Sequence, residues 1–426
     1  MHPTRTFTFS CLALVVLASL SGQAFASTVA VGTCPTATFP TIQLAINAVP
    51  AGSTIQICPG TYPEQVLITK KLTLVGIAGA AGDDAAVILP PTTGMVANTV
   101  SVDSGNPIAA QILVTSGPAS ISNLTVDGTG NGITGCGPDL MGILFQSASG
   151  TVNHVAVRNQ TLAAGLGGCQ SGESIFVQTR AGFVSTVTVA NSSVHNYNKN
   201  GITGNDHGTK LTVTGNYVQG SGVVPFPGAA QNGIQLGFGA RGAIKGNTVI
   251  DNIYGDPIVA ASADILLYDT AENSLITVAS NTVGNSQLPI ALFTLGDDGA
   301  NLGDGVSVTG NKVFGTSTYD GIDVCTNGNT VTGNTIFNSA ESGVHLDASC
   351  GILFSGATGN NNTVTGNTIL ESECAGILAD LGTSGNTTTP DTYFTVPFPV
   401  ASSTVGCPFV AGPTRAKTAH KFSPVR

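Results

Sequence analysis

Gly333-Asn334-Thr335-Ile336 recurs one interval later as Gly366-Asn367-Thr368-Ile369. The same pattern, a small residue, Asn, any residue and then Val or Ile, stands upstream as Gly215-Asn216-Tyr217-Val218, Gly246-Asn247-Thr248-Val249, Ser280-Asn281-Thr282-Val283 and Gly310-Asn311-Lys312-Val313. Looser copies hold Asn123, Asn153 and Asn191, and successive Asn positions lie 23 to 38 residues apart. Each interval also carries a Gly-Ile-x-apolar motif, as in Gly233-Ile234-Gln235-Leu236, Gly321-Ile322-Asp323-Val324, Gly343-Val344-His345-Leu346 and Gly376-Ile377-Leu378-Ala379. Both motifs alternate with period two and are bounded by Gly and Asn, which marks short strands. The interval is too short for a strand plus a covering helix, and the repeats show no helical periodicity.

One repeat is therefore one coil of strands. Coils stack, each strand pairs in parallel with its equivalent in the next coil, and inward residues fill a continuous core. The expected fold is all-β, a right-handed parallel β-helix. Asn tolerates left-handed turn geometry, and stacked Asn amides can hydrogen-bond along the stack, so the Asn row reads as structural.

Outward from the repeats, the two ends read differently. Residues 1–26 read as a signal peptide: Arg5 is a weakly positive start, Cys11 to Leu20 is apolar, and Ala24-Phe25-Ala26 is a cleavage site. The apolar run is too short to span a bilayer, and no later segment is long enough. A secreted protein, extracellular or periplasmic, is expected. Residues 27–410 form a single domain, with an N-terminal cap over about 36–50. There Ile42, Ala45, Ile46 and Val49 recur at helical spacing. Such an amphipathic helix would cover the apolar end of the first coil. The repeats stop near Asn386, so 386–410 is expected to close the other end and 411–426 to form a flexible tail.

Cysteine and charge narrow the function classes. Of nine cysteines, Cys11 leaves with the leader, and Cys34, Cys58, Cys136, Cys169, Cys325, Cys350, Cys374 and Cys407 remain. An even number in an exported chain reads as disulfides, with sequential pairing the simplest arrangement and the connectivity open. Cys34 with Cys58 is expected, because the cap helix between them must lie across the first coil. No zinc-type Cys/His spacing is present. Charged residues are 9% of the chain and net charge is −10, without the basic patch that nucleic acid requires.

Thr41-Ile42-Gln43-x-Ala45-Ile46, Gly52-Ser53-Thr54-Ile55, Gly60-Thr61-Tyr62-Pro63-Glu64 and Leu72-Thr73-Leu74-Val75-Gly76 follow one another near the start. This opening resembles that of pectin-lyase-like β-helix proteins, a superfamily of pectate lyases, polygalacturonases, pectin methylesterases and alginate epimerases. The resemblance implies the fold and a polysaccharide or glycan partner. It does not imply one activity. The Gln-Asp and Asp-Phe motifs of the methylesterases are absent, as is the ordered polygalacturonase set. Where alginate epimerases carry Asp-Pro-His, Asp256-Pro257 is followed by Ile258. Tyr62 and Glu64 read as turn and cap residues.

Aligning the Gly-Ile-x-apolar strands by their inward pairs yields two outward rows. One is Leu266, Ala291, Asp323, His345, Leu378, and the other, two residues on, is Tyr268, Phe293, Cys325, Asp347, Asp380. Asp323, His345, Asp347 and Asp380 thus converge on neighbouring coils as candidate catalytic residues. Asp347 and Asp380 would stack about 4.8 Å apart, near the spacing of retaining glycosidases, and Asp323 and Asp347 about 8 Å apart, in the inverting range. Asp347 would act as acid or nucleophile, Asp323 or Asp380 as its partner, and His345 as orienter. Tyr268 and Phe293 are candidates for stacking on sugar rings. Calcium is a candidate at Asp297, Asp298, Asn301 and Asp304, whose spacing fits no standard loop, and no other cofactor is indicated.

Two functions remain in view. The first is a carbohydrate-active enzyme, foremost a glycoside hydrolase. The second is a non-catalytic surface protein or glycan-binding adhesin. A lyase or epimerase with a divergent site is a further alternative, but Lys245 and Lys312 are the only basic residues between Arg241 and Arg415, and a polyanion cleft needs several.

Overall fold

The structure, a computed structural model, describes residues 25–402 apart from 78–84, 257–259, 272–275, 295–303, 317 and 349–357. The leader, the tail, Cys350, Cys407 and the candidate calcium residues Asp297, Asp298 and Asn301 lie outside these.

The chain winds as a right-handed parallel β-helix. Each regular coil has three strands, seen in Thr330–Thr332, Thr335–Ser339 and Ser342–Leu346. Each pairs in parallel with the equivalent strand one coil on: Val331 with Val364, Ile336 with Ile369, Val344 with Ile377. The third strands form a sheet of their own that ends on Phe398–Ser402. Inward positions are held by β-branched residues stacked through the coils, such as Val278, Val308, Val331 and Val364, or Ile290, Ile322, Val344 and Ile377, all fully buried. Branched side chains are stiff and pack well on a pleated surface, so the same residue type suits every layer.

The Asn row is a buried ladder. The Nδ2 of Asn216 donates to Oδ1 of Asn247, and the relay continues through Asn281, Asn311, Asn334 and Asn367 at 2.9–3.0 Å. Each Oδ1 also accepts the backbone N–H of the Asn before it. The looser copies do not belong to it. Ser192 opens the ladder, its hydroxyl accepting from Val155 N at 3.1 Å while its own N–H reaches Asn216. Asn191 stands outside at positive φ, pairing with Asn153. In the early turns the ladder position is held by Leu124, Val155 and Ser192, while Asn123 and Asn191 take the positive-φ place that Gly215 holds later and Asn153 stands one residue earlier still.

At the N-terminal end the helix α1 (Ile42–Ala48) buries Ile42, Ala45 and Ile46 over the first coil. Glu64 caps it, its two carboxylate oxygens accepting from Ile42 N and Gln43 N at 2.9 and 3.0 Å. Tyr62 closes the turn beside it by donating to Cys58 O. Cys34 bonds Cys58 and Cys136 bonds Cys169. Cys325 and Cys374 are disulfide-bonded as well.

The coils do not stop at 386. Thr392–Phe394 and Phe398–Ser402 add strands to the second and third positions. A second, shorter ladder runs from Asn329 through Asn362 to Asn386, while Asp391 ends the first by accepting from Asn367 Nδ2 at 2.9 Å. The final coil escapes a repeat search because Asp391 stands where an Asn is sought and the turn at Pro390 breaks the Gly-Asn pattern.

Candidate active site

The third strands present the two rows in the register that the inward pairs predict. Leu266 pairs with Ala291, Ala291 with Asp323, Asp323 with His345 and His345 with Leu378. The second row continues one residue past the strand ends, through Cys325 N to Leu292 O, Asp347 N to Val324 O and Asp380 N to Leu346 O.

This face is largely closed to solvent. Asp323 is 1% and Asp347 4% exposed, while the side chains of His345 and Asp380 reach the surface at 14% and 20%. One oxygen each of Asp323 and Asp347 and one ring nitrogen of His345 lie within 4.8 Å of one another. The carboxyl oxygens of Asp323 and Asp347 thus approach more closely than the about 8 Å that backbone spacing alone implies, across two directly paired strands.

His345 is the hub. Its Nδ1 meets Asp320 Oδ2 at 3.1 Å, and its Nε2 lies 3.3 Å from Asp380 Oδ1, in ion-pair range but outside hydrogen-bond geometry. Burial alone would strip the imidazolium of its proton. The charge and hydrogen bond of Asp320, followed by Asp380 and Asp347, outweigh it and hold the histidine well above its ordinary pKa. Asp323 is pushed well above the carboxylate range, first by burial and then by the Asp347 charge. Asp380 goes the other way: burial would raise it, but His345, the Ala348 N–H and a side-chain hydrogen bond with Asp347 lower it. Neighbouring carboxyls are thereby split into a neutral acid and an ionised base, the division that acid–base catalysis needs.

Asp320 is the member that the motif alignment misses. It precedes the strand, fixes the next coil by accepting from Ser342 N at 2.8 Å, and turns its other oxygen to His345. The Tyr319-Asp320-Gly321 sequence reads as an ordinary turn, and only the stack puts Asp320 against His345. Cys325 Sγ lies 3.5 Å from Asp323 Oδ1 and 3.8 Å from Asp347 Oδ2. As a disulfide sulfur it has no hydrogen to donate, so these are packing contacts.

Tyr268 and Phe293 are buried, 2% and 4% exposed. Their rings stack on each other at 5.7 Å, and Phe238 tilts against Tyr268 at 5.6 Å. With Leu266, Ala291 and Cys325 they make an apolar layer on the coils preceding the acids. Asp304 binds Asn327 N at 2.7 Å.

A second titratable group lies on the early coils of this face. Burial raises Glu173 to about 8 and Asp139 to about 6 and lowers Lys199 to about 7. Lys199 is fully buried and donates to Ala230 O at 2.7 Å.

No family model and no curated protein matches the chain. Solved structures do. The A-module of mannuronan C-5 epimerase AlgE4 from Azotobacter vinelandii aligns with a TM-score of 0.55 at 16% identity, over 85% of this chain and 94% of that one. The GH136 lacto-N-biosidase of Eubacterium ramulus aligns at 0.49 and 9% identity, over 88% and 68%. The surface protein and adhesin PfbA of Streptococcus pneumoniae aligns at 0.43 and 15%, over 85% and 94%. The likeness is one of fold: the chain shares a parallel β-helix architecture with the AlgE4 A-module.

Proposed function

We propose that this protein is an exported carbohydrate-active enzyme that hydrolyses glycosidic bonds at the Asp323, His345, Asp347 and Asp380 cluster. The observation that carries the reading is the convergence of three carboxyls and a bridging histidine on adjacent coils, with Asp323 kept neutral and Asp380 ionised. Asp323 is the proton donor to the leaving oxygen. Asp380, at the surface, is the base or nucleophile. Asp347, hydrogen-bonded to Asp380, orients it, and His345 is held in place by Asp320. Tyr268 and Phe293 act as the apolar wall behind the acids and not as exposed sugar platforms.

Hydrolysis is favoured over β-elimination or epimerisation because those reactions act on uronates, whose carboxylates call for Lys or Arg side chains along the cleft. Lys245 and Lys312 are exposed, on strands of the first and second positions, away from the acidic face. The Cys34–Cys58 and Cys136–Cys169 disulfides suit an oxidising compartment outside the cytosol.

The test is product release from a panel of neutral and weakly charged polysaccharides. Asp323→Asn should lower the rate by about 100-fold or more, as loss of a general acid does. Wild-type activity untouched by Asp323→Asn and Asp380→Asn would remove the cluster from the mechanism. The near-closure of the face also favours a second reading, a glycan-binding surface protein without catalysis. Binding to a glycan array with no product from any member would establish it.

A further inference from the structure

We infer that Asp323, His345 and Asp347, with Asp380 beside them as a fourth donor, hold one divalent transition-metal ion. Three potential donor atoms within 4.8 Å of one another need only a small contraction to share an ion, since metal–ligand bonds of about 2.0–2.2 Å put neighbouring donors about 3–3.5 Å apart. An acidic cluster alone would not suffice. One further feature points to a missing partner: Asp323 Oδ2 is buried without a hydrogen bond, on a residue 1% exposed. His345 Nε2 and Asp380 Oδ1 face each other at 3.3 Å beside it.

The histidine is also set up as metal-bound histidines are. Asp320 occupies Nδ1, which fixes the ring with Nε2 toward Asp380; an incoming ion would displace the Nε2 proton and take its place, giving the carboxylate–histidine–metal arrangement. Asp320 is tied in turn to Ser342 N of the next coil. The donor set selects the ion. Imidazole nitrogen with carboxylates suits zinc or manganese, whereas calcium takes oxygen donors alone. Cys325 is oxidised, so no thiolate competes.

The inference goes beyond the hydrolase reading and stands apart from it. With the ion in place the carboxylates are ligands, so acid–base hydrolysis belongs to the metal-free form. The mature chain, disulfides intact, is dialysed against chelator and titrated with zinc chloride by calorimetry, with stoichiometry counted by native mass spectrometry. One zinc per chain and a raised melting temperature are expected, with no effect of calcium at the same concentration. His345→Gln should abolish stoichiometric binding, and Asp320→Asn, a positioning change, should weaken it by about 10–100-fold. Asp380→Asn, on a side chain 20% exposed, serves should His345→Gln not fold, and should weaken zinc at least about tenfold. Absence of stoichiometric zinc, equal binding by a folded His345→Gln, or equal binding of calcium overturns the inference. Hydrolysis without zinc binding leaves the enzyme reading intact and removes the metal; zinc binding without hydrolysis of any glycan does the reverse.

Discussion

Asn311→Ala tests the ladder that holds the coils in register. The Asn311 side chain takes part in four hydrogen bonds. Its Oδ1 accepts from Asn281 N at 2.9 Å and from Asn281 Nδ2 at 3.0 Å, and its Nδ2 donates to Val278 O and to Asn334 Oδ1, both at 2.9 Å. Truncation does not affect these equally. Asn281 Nδ2 keeps Ile244 O, and Asn334 Oδ1 keeps the backbone N–H of residue 311. The N–H of Asn281 loses its acceptor in a site that is 1% exposed. An orphaned buried donor costs about 1–3 kcal/mol and each other lost bond about 1 kcal/mol net. A loss of about 4–6 kcal/mol is expected. Asn311→Ser should lose about half of that, because a hydroxyl retains the acceptor, as Ser192 does at the head of the ladder. Urea midpoints report the global change, and hydrogen exchange at the Asn281 amide reports the local one. Thr330→Ala, on an exposed outward position, is the control and should fall within about 0.5 kcal/mol of wild type. An Asn311→Ala protein as stable as that control, with the Asn281 amide still protected, would refute the ladder as a source of stability.

Two other outcomes follow from charge. Burial raises Glu173 from 4.5 to about 8, so between these values the folded chain keeps a proton that the unfolded chain releases, and stability falls as pH rises through that window. Glu173→Gln should remove this slope and raise stability at pH 7 by about 3 kcal/mol, an upper figure because Lys199, lowered to about 7, acts in the opposite sense above neutrality. Thermal melts at pH 5 and pH 7 check it: equal effects of the substitution at both values would contradict a neutral Glu173. Glu64→Ala should cost about 1–2 kcal/mol by uncapping α1, seen as exchange of the Ile42 and Gln43 amides well before the coils. Unchanged protection of both amides would mean that the cap is held by apolar packing alone.

The repeating Asn and the Gly-Ile-x-apolar strands determined the coil, the parallel pairing and the inward columns, since a period-two pattern and a turn residue at fixed offset are local properties that any window of the chain displays. The same locality made Asp323 and His345, and Tyr268 and Phe293, legible as outward rows, and made a cap helix of Ile42, Ala45 and Ile46 readable at the start. Where the offset slipped, the reading slipped with it. Asn123, Asn153 and Asn191 looked like ladder members because composition cannot tell a buried turn Asn from an outward one a residue or two earlier, and Asp391 hid the last coil by doing the work of an Asn.

What a side chain faces, and how deeply, depends on the neighbouring coils and on whatever covers them, and no window of sequence carries that. Asp320 reads as a turn residue until the next coil brings His345 over it. Asp323 and Asp347 read as surface carboxylates at strand spacing, yet the fold excludes water from both and brings their oxygens together. Glu173 and Lys199 carry no motif at all, because their shifts come from desolvation. The tertiary structure alone decided which carboxyl keeps its proton, because burial and the field of residues from other coils set that balance.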